Sequence, residues 1–487
     1  MQSGNDAHTA TKLAIHGMTE RLKNTAGAIT LSKSGDVGIN FKLKMSFRFK
    51  PAELQHFNWM FNLAPCFPVN ASKINIINDP NKFYDTIYER FKNAKRRISL
   101  ASLYIGTGEL EKKLLEVTVH NVKNAKDLSF NVLLDYQRGT RGKDNSRTLF
   151  RQFVNGISDR CHLALYQTPR LHGTWSKALP SRYNEIVGLQ HMKLYIADDS
   201  IILSGANCSN DYFQQRQDRY IEIEDEDLAN FYCELIGIFI KNNNLSKDIV
   251  IKQVNQNIEN LIDKWKDRQS SKLSSLNENK DTWIFPLIQM GEFNINQDEQ
   301  ATCNILSSAP EGSYFRLATG YFNLTEKYAN ILLRDCKAAI SLLMAHPNAN
   351  GFMGAAGPAG GIPHAYSLIA RKFWQQVVNY DQMSRVQILE YERTGWTFHA
   401  KGLWYYPPSS SVPWATVVGS ANLGERSVRR DLEAQAAIFT SSLDLQERLH
   451  NECSRLHDYA SECSTDLQNR QTPLWVRATV GLFRTYF

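Results

Sequence analysis

The chain has 487 residues, of which 43% are hydrophobic and 22% are charged, so it can form two domains or one large duplicated domain. Its 56 basic and 49 acidic residues give a net charge of +7, which suits anionic partners but is modest for a nucleic-acid groove. No apolar run reaches the roughly 20 residues of a membrane-spanning helix, and the eight cysteines form no Cys-x-x-Cys pair of the kind that binds zinc.

Residues 1–71 are predicted to form an N-terminal segment. Its part 41–67 mixes Lys and Arg with Phe and Trp, and the C-terminal stretch 473–487 has the same composition. Basic residues interleaved with aromatic ones are typical of segments that lie in a membrane interface. The alternative is that both ends pack on the protein, so a peripheral membrane contact stays open at this point.

A first lobe is predicted over 72–240, because helical and β-rich runs alternate there. Its predicted elements in chain order are a helix at 83–94, a strand at 97–106, a helix at 109–122, and strands at 129–136, 162–167, 200–205 and 219–225. Residues 241–281 are polar and rich in Lys and Asn, which predicts a helix and a linker between lobes.

A second lobe is predicted over 282–487, because the same order of elements returns. It contains a strand at 314–322, a helix at 326–336, a strand at 339–345, a helix at 363–378, and strands at 386–392, 415–420 and 433–439. The sequence therefore predicts an α/β fold made of two duplicated lobes.

The duplication is clearest in two histidine-lysine units. His191 and Lys193 form the first, and His399 and Lys401 form the second. Each unit is followed by a turn of small residues that ends in asparagine, and an acid comes eleven residues after each asparagine. The asparagines are Asn207 and Asn422, the second preceded by Ser420, and the acids are Asp218 and Glu433.

These residue types suit chemistry on a phosphate group. Residues two apart on a strand share a face, so each histidine points the same way as its lysine. An imidazole acts as a nucleophile or proton carrier near neutral pH, and an ammonium stabilises phosphoryl oxygens. Asn207, Asn422 and Ser420 are predicted to donate to the phosphate at helix N-termini, and the acids to hold the histidine Nδ1–H. A single His-x-Lys pair is usually a surface pair, but two matched copies favour a site.

The strings that carry these residues resemble a known family. His191, Lys193 and Asp198 match the HxKxxxxD motif of the phospholipase D superfamily. LLDYQRGTRG, GLQHMKLYIADD, LSGANCSNDYF, FHAKGLW and GSANLGERS are similar to its branch of eukaryotic mitochondrial phosphatidylglycerophosphate synthases. The resemblance covers roughly residues 72–460 and implies two phospholipase D-like α/β/α lobes with mixed sheets and one active site between them.

The resemblance also implies an activity. The expected reaction moves the phosphatidyl group of CDP-diacylglycerol to glycerol 3-phosphate and releases CMP, with His191 as nucleophile and His399 as base. Each acid is expected beside the histidine of the opposite half. No cofactor, metal or nucleic acid is expected, and the expected location is peripheral on the mitochondrial inner membrane.

Three further residues are candidates for catalysis or for phosphate binding. Asp198 completes the motif and is a candidate catalytic residue, but Tyr406 stands at the matching position of the second copy, which indicates a mainly structural role. Arg138 and Arg141 are predicted to bind a substrate phosphate, since arginine matches phosphate bidentately, with a solvated turn as the alternative.

Other functions remain open on the sequence alone. A phosphatidylserine or cardiolipin synthase of the same superfamily would differ only in its acceptor. A phosphodiesterase or nuclease would favour a more basic groove. A non-enzymatic membrane scaffold would not need two intact histidine-lysine units.

Overall fold

The computed structural model describes residues 47–154, 157, 159–171, 187–240, 247–275 and 280–483. The parts of the terminal segments at 1–46 and 484–487, for which membrane contact was an open expectation, lie outside the described residues. None of the helices in the described ranges is long and apolar enough to cross a membrane.

The first lobe is built on a sheet of seven strands in the order β2-β9-β7-β6-β3-β4-β5. β3, β4 and β5 are parallel, and the other pairs are antiparallel. The strands of this lobe are β2 (Ile74–Ile77), β3 (Arg97–Ser102), β4 (Ser129–Asp135), β5 (Cys161–Tyr166), β6 (Leu194–Ala197), β7 (Ser200–Ser204), β8 (Arg216–Gln217) and β9 (Tyr220–Glu224).

The second lobe is built on a sheet whose main path runs β1-β10-β18-β17-β16-β12-β13-β14-β19, with β11 attached to β10. β12, β13 and β14 are parallel. Its strands are β1 (Phe67–Val69), β10 (Thr282–Met290), β11 (Ile295–Asn296), β12 (Tyr314–Thr319), β13 (Ala339–Ala345), β14 (Val386–Tyr391), β16 (Gly402–Tyr406), β17 (Ala415–Gly419), β18 (Glu433–Thr440) and β19 (Ala460–Glu462). A separate short strand, β15 (Thr397–Phe398), pairs with β8.

The two sheets repeat one topology. The path β9-β7-β6-β3-β4-β5 in the first sheet matches β18-β17-β16-β12-β13-β14 in the second, with parallel and antiparallel pairs in the same places. The predicted α/β fold with mixed sheets and the predicted duplication are confirmed.

Helices connect these strands and cover the sheets. The α-helices are Met60–Leu63, Pro80–Asn93, Glu109–Asn124, Tyr136–Gly139, Ser146–Phe153, Asn210–Gln214, Glu226–Ile240, Lys247–Ser275, Gln297–Ser308, Glu326–Asn330, Ile362–Asn379, Glu425–Arg429, Leu443–His457, Ser464–Asn469 and Leu474–Phe483. Short 3₁₀ turns lie at Ala52–Phe57, Ala71–Lys73, Gly291–Phe293, Pro347–Ala349 and Gly357–Gly361, and a π turn lies at Ile331–Asp335.

The core joins the lobes, because one hydrophobic cluster holds buried side chains from both sheets, among them Leu203 and Ile221 from the first and Ala434 from the second. The long helix Lys247–Ser275, in the region expected to be helix and linker, adds buried Trp265 to the same cluster. This helix is therefore part of the interface between the lobes, which burial of apolar surface stabilises.

The described part of the N-terminal segment packs on the second lobe. Phe49 and Phe57 are buried, and both lie against Phe439 with ring centroids 5.0 and 5.3 Å apart. β1 extends the second sheet by pairing with β10. Of the two possibilities left open by the sequence, membrane contact and packing on the protein, residues 47–69 follow the second. Their buried aromatic rings are used in the core of the second lobe and are not exposed to a membrane.

A buried ion pair fastens the lobes together. Arg219 of the first lobe and Glu452 of the second are almost fully buried, and their two hydrogen bonds measure 2.8 Å each. The guanidinium lies 3.9 Å over the Trp404 ring and donates to Val417 O and Thr416 Oγ1, both at 2.8 Å. Because every donor has a partner, the charge is tolerated inside the protein.

Glu452→Gln is expected to lower the free energy of unfolding by about 3–5 kcal/mol, because Arg219 then keeps a buried charge without its counter-charge. Urea unfolding followed by tryptophan fluorescence measures the change. Glu447→Gln is the matched control, since Glu447 is exposed on the same helix. Equal losses in the two variants would contradict the assignment.

Candidate active site

The two histidine-lysine units lie directly before equivalent strands, whereas the sequence predicts them on the strands themselves. His191 and Lys193 precede β6, while His399 and Lys401 precede β16. Since β6 and β16 occupy the same place in their sheets, the fold presents the two units in related positions.

Crossed backbone hydrogen bonds bring each unit to the opposite lobe. The His191 N–H donates to Leu432 O at 2.9 Å, and the His399 N–H donates to Gln217 O at 2.8 Å. In each case the next residue after the acceptor is the predicted acid. The backbone pairing therefore places the acid of one lobe beside the histidine of the other.

The side chains complete this crossed pairing. His191 Nδ1 lies 2.9 Å from Glu433 Oε1, and His399 Nδ1 lies 2.6 Å from Asp218 Oδ2. Both predicted cross-lobe contacts are confirmed. The acids are almost fully buried, whereas the His191 side chain is 11% exposed against 4% for His399, so His191 is the more accessible of the two rings.

The pairing selects the tautomer of each histidine. An ionised carboxylate only accepts hydrogen bonds, so Nδ1 carries the hydrogen in His191 and, while Asp218 is ionised, in His399, whose Nδ1 also lies 2.7 Å from Lys401 Nζ. Nε2 is then the atom whose lone pair can attack phosphorus or take a proton, and in His399 this atom lies 3.3 Å from the Tyr212 hydroxyl.

Glu433 is held by a set of hydroxyl groups. Ser427 Oγ donates to its Oε1 at 2.8 Å, and Ser420 Oγ donates to its Oε2. Burial opposes ionisation, but His191, Lys193 and Ser420 outweigh it and keep the pKa of the Glu433 carboxyl below its ordinary value. The predicted role of Ser420 as a phosphate ligand needs correction, because its single hydroxyl hydrogen is used by Glu433.

Asp218 accepts fewer hydrogen bonds than Glu433. Its Oδ1 accepts from the Arg219 N–H at 2.8 Å, and its Oδ2 lies 3.8 Å from Lys401 Nζ. Gly205 of the LSGAN turn makes room for this cluster, since a Cβ there would come within 2.7 Å of Asp218 Oδ1 and 2.9 Å of Lys401 Nζ. Burial raises the pKa of Asp218 to about 6, against the lowering effect of Lys401.

The two lysines are buried beside these acids. Burial lowers the pKa of Lys193 well below its ordinary value and that of Lys401 to about 8. Lys193 Nζ donates to His191 O at 2.6 Å, and Lys401 Nζ donates to His399 O at 2.8 Å. An arriving phosphate would supply the negative charge that stabilises both ammonium groups.

Both histidines are favoured in the neutral form. Burial lowers the pKa of His191, with Glu433 opposing the shift. Burial lowers the pKa of His399 further below its ordinary value, and the charges of Lys401 and Arg216 add to this. The two rings differ in degree: Glu433 opposes the lowering of the His191 pKa, whereas His399, although it is bound to Asp218, has the charges of Lys401 and Arg216 nearby.

Asp198 lies away from the histidines. β6 separates it from His191, which corresponds to on the order of 20 Å of extended chain. Its carboxylate accepts from the backbone N–H groups of Lys95, Arg96 and Arg97 at 2.8, 2.7 and 3.1 Å. Its candidate role in catalysis needs correction, because this carboxylate connects the β6–β7 turn to the start of β3.

The predicted phosphate ligands differ in position. Asn207 is buried and its Oδ1, an acceptor, has no hydrogen-bond partner, while donation to a phosphate would have to come from its Nδ2. The Oδ1 of Asn422 accepts from Thr319 Oγ1 at 3.4 Å. Arg138 lies at the rim, 4.8 Å over the Tyr104 ring. Arg141 lies in the loop beyond it and is half-buried.

Two tyrosines and an arginine near His399 were not among the predicted site residues. The Tyr212 hydroxyl lies 3.3 Å from His399 Nε2, and the Tyr321 ring packs edge-on against the imidazole at 5.3 Å. Arg216 lies 4.6 Å over the Tyr212 ring. Tyr321 and Tyr104 follow the matching strands β12 and β3, so the repeat in the sequence could have pointed to Tyr321. No sequence pattern pointed to Tyr212 or Arg216.

Comparison with known proteins agrees with this geometry. The mitochondrial CDP-diacylglycerol–glycerol-3-phosphate 3-phosphatidyltransferase of Mus musculus is 39% identical over 484 residues, covering 90% of this chain and 87% of the relative. The protein of that name in Homo sapiens is 38% identical over 484 residues, with the same coverages. The Saccharomyces cerevisiae CDP-diacylglycerol–glycerol-3-phosphate 3-phosphatidyltransferase is 32% identical over 444 residues, covering 82% of this chain and 84% of the relative. The chain belongs to this family of phosphatidyltransferases.

Solved structures support the fold of this phosphatidyltransferase. The crystal structure of phosphatidylserine synthase from Haemophilus influenzae aligns with a TM-score of 0.67 and 18% identity, covering 89% of this chain and 97% of that one. This likeness supports the architecture that the resemblance implied. No family model matches the chain.

A group of possible metal ligands lies inside the phosphatidyltransferase site. His191, Asp431 and Glu433 offer atoms that all lie within 4.8 Å of one another. These atoms already have partners: Glu433 accepts from His191, and Asp431 accepts from the Leu189 N–H at 3.0 Å and pairs with Arg426 at 3.1 Å. A cation would have to displace these donors, so we assign the group to the positioning of His191.

The pKa values of two site residues predict a bell-shaped pH profile of kcat/KM for phosphatidyl transfer. Below pH about 6, Asp218 gains a proton and loses the charge that orients His399. Above pH about 8, Lys401 loses the charge that binds the phosphoryl group. Steady-state kinetics from pH 5 to pH 9 measure both limbs.

The variant Asp218→Asn tests whether the acidic limb of the pH profile comes from Asp218 or from titration of the substrate. The variant is expected to lose about a hundredfold or more in kcat/KM and to lose the acidic limb, since the amide does not titrate. An acidic limb that persists unchanged in the variant would show that another group causes it.

Proposed function

We propose that this protein transfers the phosphatidyl group of CDP-diacylglycerol to glycerol 3-phosphate, releasing CMP, through a phosphatidyl-histidine on His191. The observation that carries the proposal is the crossed pair of histidines. Each ring is bound at Nδ1 by a carboxylate of the opposite lobe and has a buried lysine beside it. Relatives named for this activity at 32–39% identity support the choice of substrates.

In the first step, the His191 Nε2 lone pair attacks the phosphorus on the lipid side of CDP-diacylglycerol. The phosphoanhydride bond breaks, CMP leaves with its electron pair, and a P–N bond forms. Lys193 and Lys401 stabilise the charge on the phosphoryl oxygens. CMP is a good leaving group, so this step does not depend on a strong acid.

In the second step, the primary hydroxyl of glycerol 3-phosphate attacks the same phosphorus. His399 Nε2 takes the hydroxyl proton, the new P–O bond forms, and the P–N bond to His191 breaks. The products are phosphatidylglycerophosphate and free His191. Asn207 and Asn422 are the proposed neutral ligands of the phosphoryl oxygens.

Charge favours His191 over His399 as the nucleophile. Glu433 is ionised and accepts from Ser420 and Ser427 as well as from His191, so it supports positive charge on that ring. His399 also has a carboxylate, Asp218, but Lys401, Arg216 and Lys193 lie near it as well, and their charges disfavour a lasting positive charge on this ring. A covalent intermediate requires positive charge on its imidazole, and His191 is the ring that tolerates it.

Other acceptors define the second candidate function. A phosphatidylserine or cardiolipin synthase would use the same two histidines and differ in the acceptor pocket. The relatives named as glycerol-3-phosphate transferases favour that acceptor. The fold neighbour named phosphatidylserine synthase shares 18% identity and supports only the architecture.

The proposed location is peripheral on the mitochondrial inner membrane. The Mus musculus and Homo sapiens relatives are named as mitochondrial. Leu474 and Trp475 begin the helix Leu474–Phe483 and are 80% and 50% exposed, while Val476 and Val480 of the same helix are buried. Two large apolar side chains at the start of an anchored helix suit insertion into a lipid surface.

Isotope exchange tests the covalent step. Enzyme and CDP-diacylglycerol without acceptor are expected to exchange labelled CMP into the lipid, since the first step is reversible. His191→Ala should abolish exchange and transfer, whereas His399→Ala should keep exchange and lose transfer by about a hundredfold or more.

Asp198→Asn is the matched control, because this residue belongs to the same motif but lies away from the histidines. It is expected to keep both activities once folded. Absence of exchange by the wild-type enzyme would contradict the covalent intermediate, and the opposite behaviour of the two histidine variants would reverse their roles.

Liposome flotation tests the membrane contact. The double change Leu474→Ser and Trp475→Ser should weaken binding to vesicles that contain anionic lipid by at least about tenfold. The reason is that full burial of a large apolar side chain contributes about 1.5–3 kcal/mol of free energy. Activity on detergent-solubilised substrate should remain. Leu443→Ser, at a residue 62% exposed on another helix, is the control. Equal binding by the double variant would exclude this contact.

A further inference from the structure

Arg216 begins β8 beside the second histidine. Its Nε donates to Thr397 Oγ1 at 3.0 Å, across the pairing of β8 with β15. Its guanidinium lies 4.6 Å over the ring of Tyr212, whose hydroxyl lies 3.3 Å from His399 Nε2. One phenol ring therefore separates this cation from the nitrogen that takes the acceptor's proton.

The surroundings of Arg216 do not neutralise its charge. The ionisable groups around it are the phenols of Tyr212, Tyr321 and Tyr104. No carboxylate in the described part of the chain forms an ion pair with it. The contrast is with Arg219 and Arg426, which pair with Glu452 and Asp431. A half-buried guanidinium without a counter-charge favours binding of an anion.

The glycine-rich loop lies close against the guanidinium. Gly351 follows the turn Pro347–Ala349, and a Cβ at this glycine would come within 2.6 Å of Arg216 Nη2. The absence of a side chain at Gly351 therefore lets the loop approach this end of Arg216, and any larger residue there would displace the guanidinium.

We propose that Arg216 is a specificity-determining residue that binds the phosphate of the acceptor glycerol 3-phosphate. This inference rests on the proposed function, in which His399 serves the acceptor. The three-carbon backbone of glycerol 3-phosphate separates its reacting hydroxyl from its phosphate, and the Tyr212 ring separates His399 Nε2 from Arg216 in the same way. A planar guanidinium matches phosphate oxygens with two parallel hydrogen bonds.

Binding there would also assist the base. The charge of Arg216 is one of those that lower the pKa of His399, together with Lys401 and Lys193. A phosphate on Arg216 offsets one of these charges, so His399 takes the hydroxyl proton more readily when the correct acceptor is bound.

The test compares Arg216→Gln with wild type on two acceptors, glycerol 3-phosphate and glycerol, the second of which lacks the phosphate. The KM for glycerol 3-phosphate should rise about 10- to 100-fold, as expected for the loss of charge-assisted hydrogen bonds. CMP exchange into CDP-diacylglycerol, which does not use His399, should stay at the wild-type level, and transfer to glycerol should change much less than transfer to glycerol 3-phosphate. Arg216→Lys should recover part of the loss.

Two further variants keep the test independent of folding. Gly351→Ala pushes on the flexible end of Arg216 and should also raise the KM for glycerol 3-phosphate. Arg334→Gln is the control, because the exposed Arg334 stacks on Tyr380 at 4.9 Å in a comparable way. Thermal midpoints identify any variant that has lost its fold.

Three results would overturn the proposal. An unchanged KM for glycerol 3-phosphate means that Arg216 does not bind it. An equal loss of CMP exchange means that it serves the donor phosphates, and an equal loss with glycerol means a structural role. A wild-type enzyme that transfers without exchanging CMP would instead refute the covalent step of the proposed function and leave the acceptor comparison intact.

Discussion

The site depends on the crossed backbone pairing between the lobes. His191 is bonded to the chain just before Glu433, and His399 is bonded to the chain just before Asp218. Each lobe therefore supplies a histidine to one pair and an acid to the other, and neither lobe forms a complete pair alone. The Arg219–Glu452 ion pair and the shared core hold this arrangement. In the proposed mechanism both Nε2 atoms serve one phosphorus, and holding them in fixed positions would lower the entropic cost of the reaction.

Electrostatics explains why the site suits an anionic substrate. Lys193 and Lys401 are buried, and their charges are balanced only in part by Asp218 and Glu433. In a low-dielectric interior, a phosphoryl group that gains charge during the reaction is stabilised strongly by such fixed cations. The carboxylates orient the imidazole rings, and the lysines stabilise the negative charge that develops on the phosphoryl group.

The ends of the described chain show why composition alone leaves function open. Both terminal segments combine basic and aromatic residues, yet they behave differently. Phe49 and Phe57 are buried in the second lobe, whereas Leu474 and Trp475 are exposed on a helix that is anchored by other side chains. Composition records which side chains are able to enter a membrane, while packing decides which of them remain outside the protein core.

The sequence by itself determined the duplicated α/β fold, the two histidine-lysine units and the matched acids, because these follow from periodicity and repetition along the chain. It missed β10, where Pro286 argues against a strand. The structure tolerates Pro286 because β1 pairs only with Thr282–Ile284 of this strand, and β11 only with Gln289 and Met290. Only the tertiary structure decided the remaining points: that Ser420 donates to Glu433, that Asp198 binds the backbone at the start of β3, and that Arg216 stacks on Tyr212 beside His399. Ser420 and Glu433 both belong to the second lobe, and Asp198 and Arg97 both belong to the first, so the folding of each lobe, not a local sequence pattern, brings these residues together.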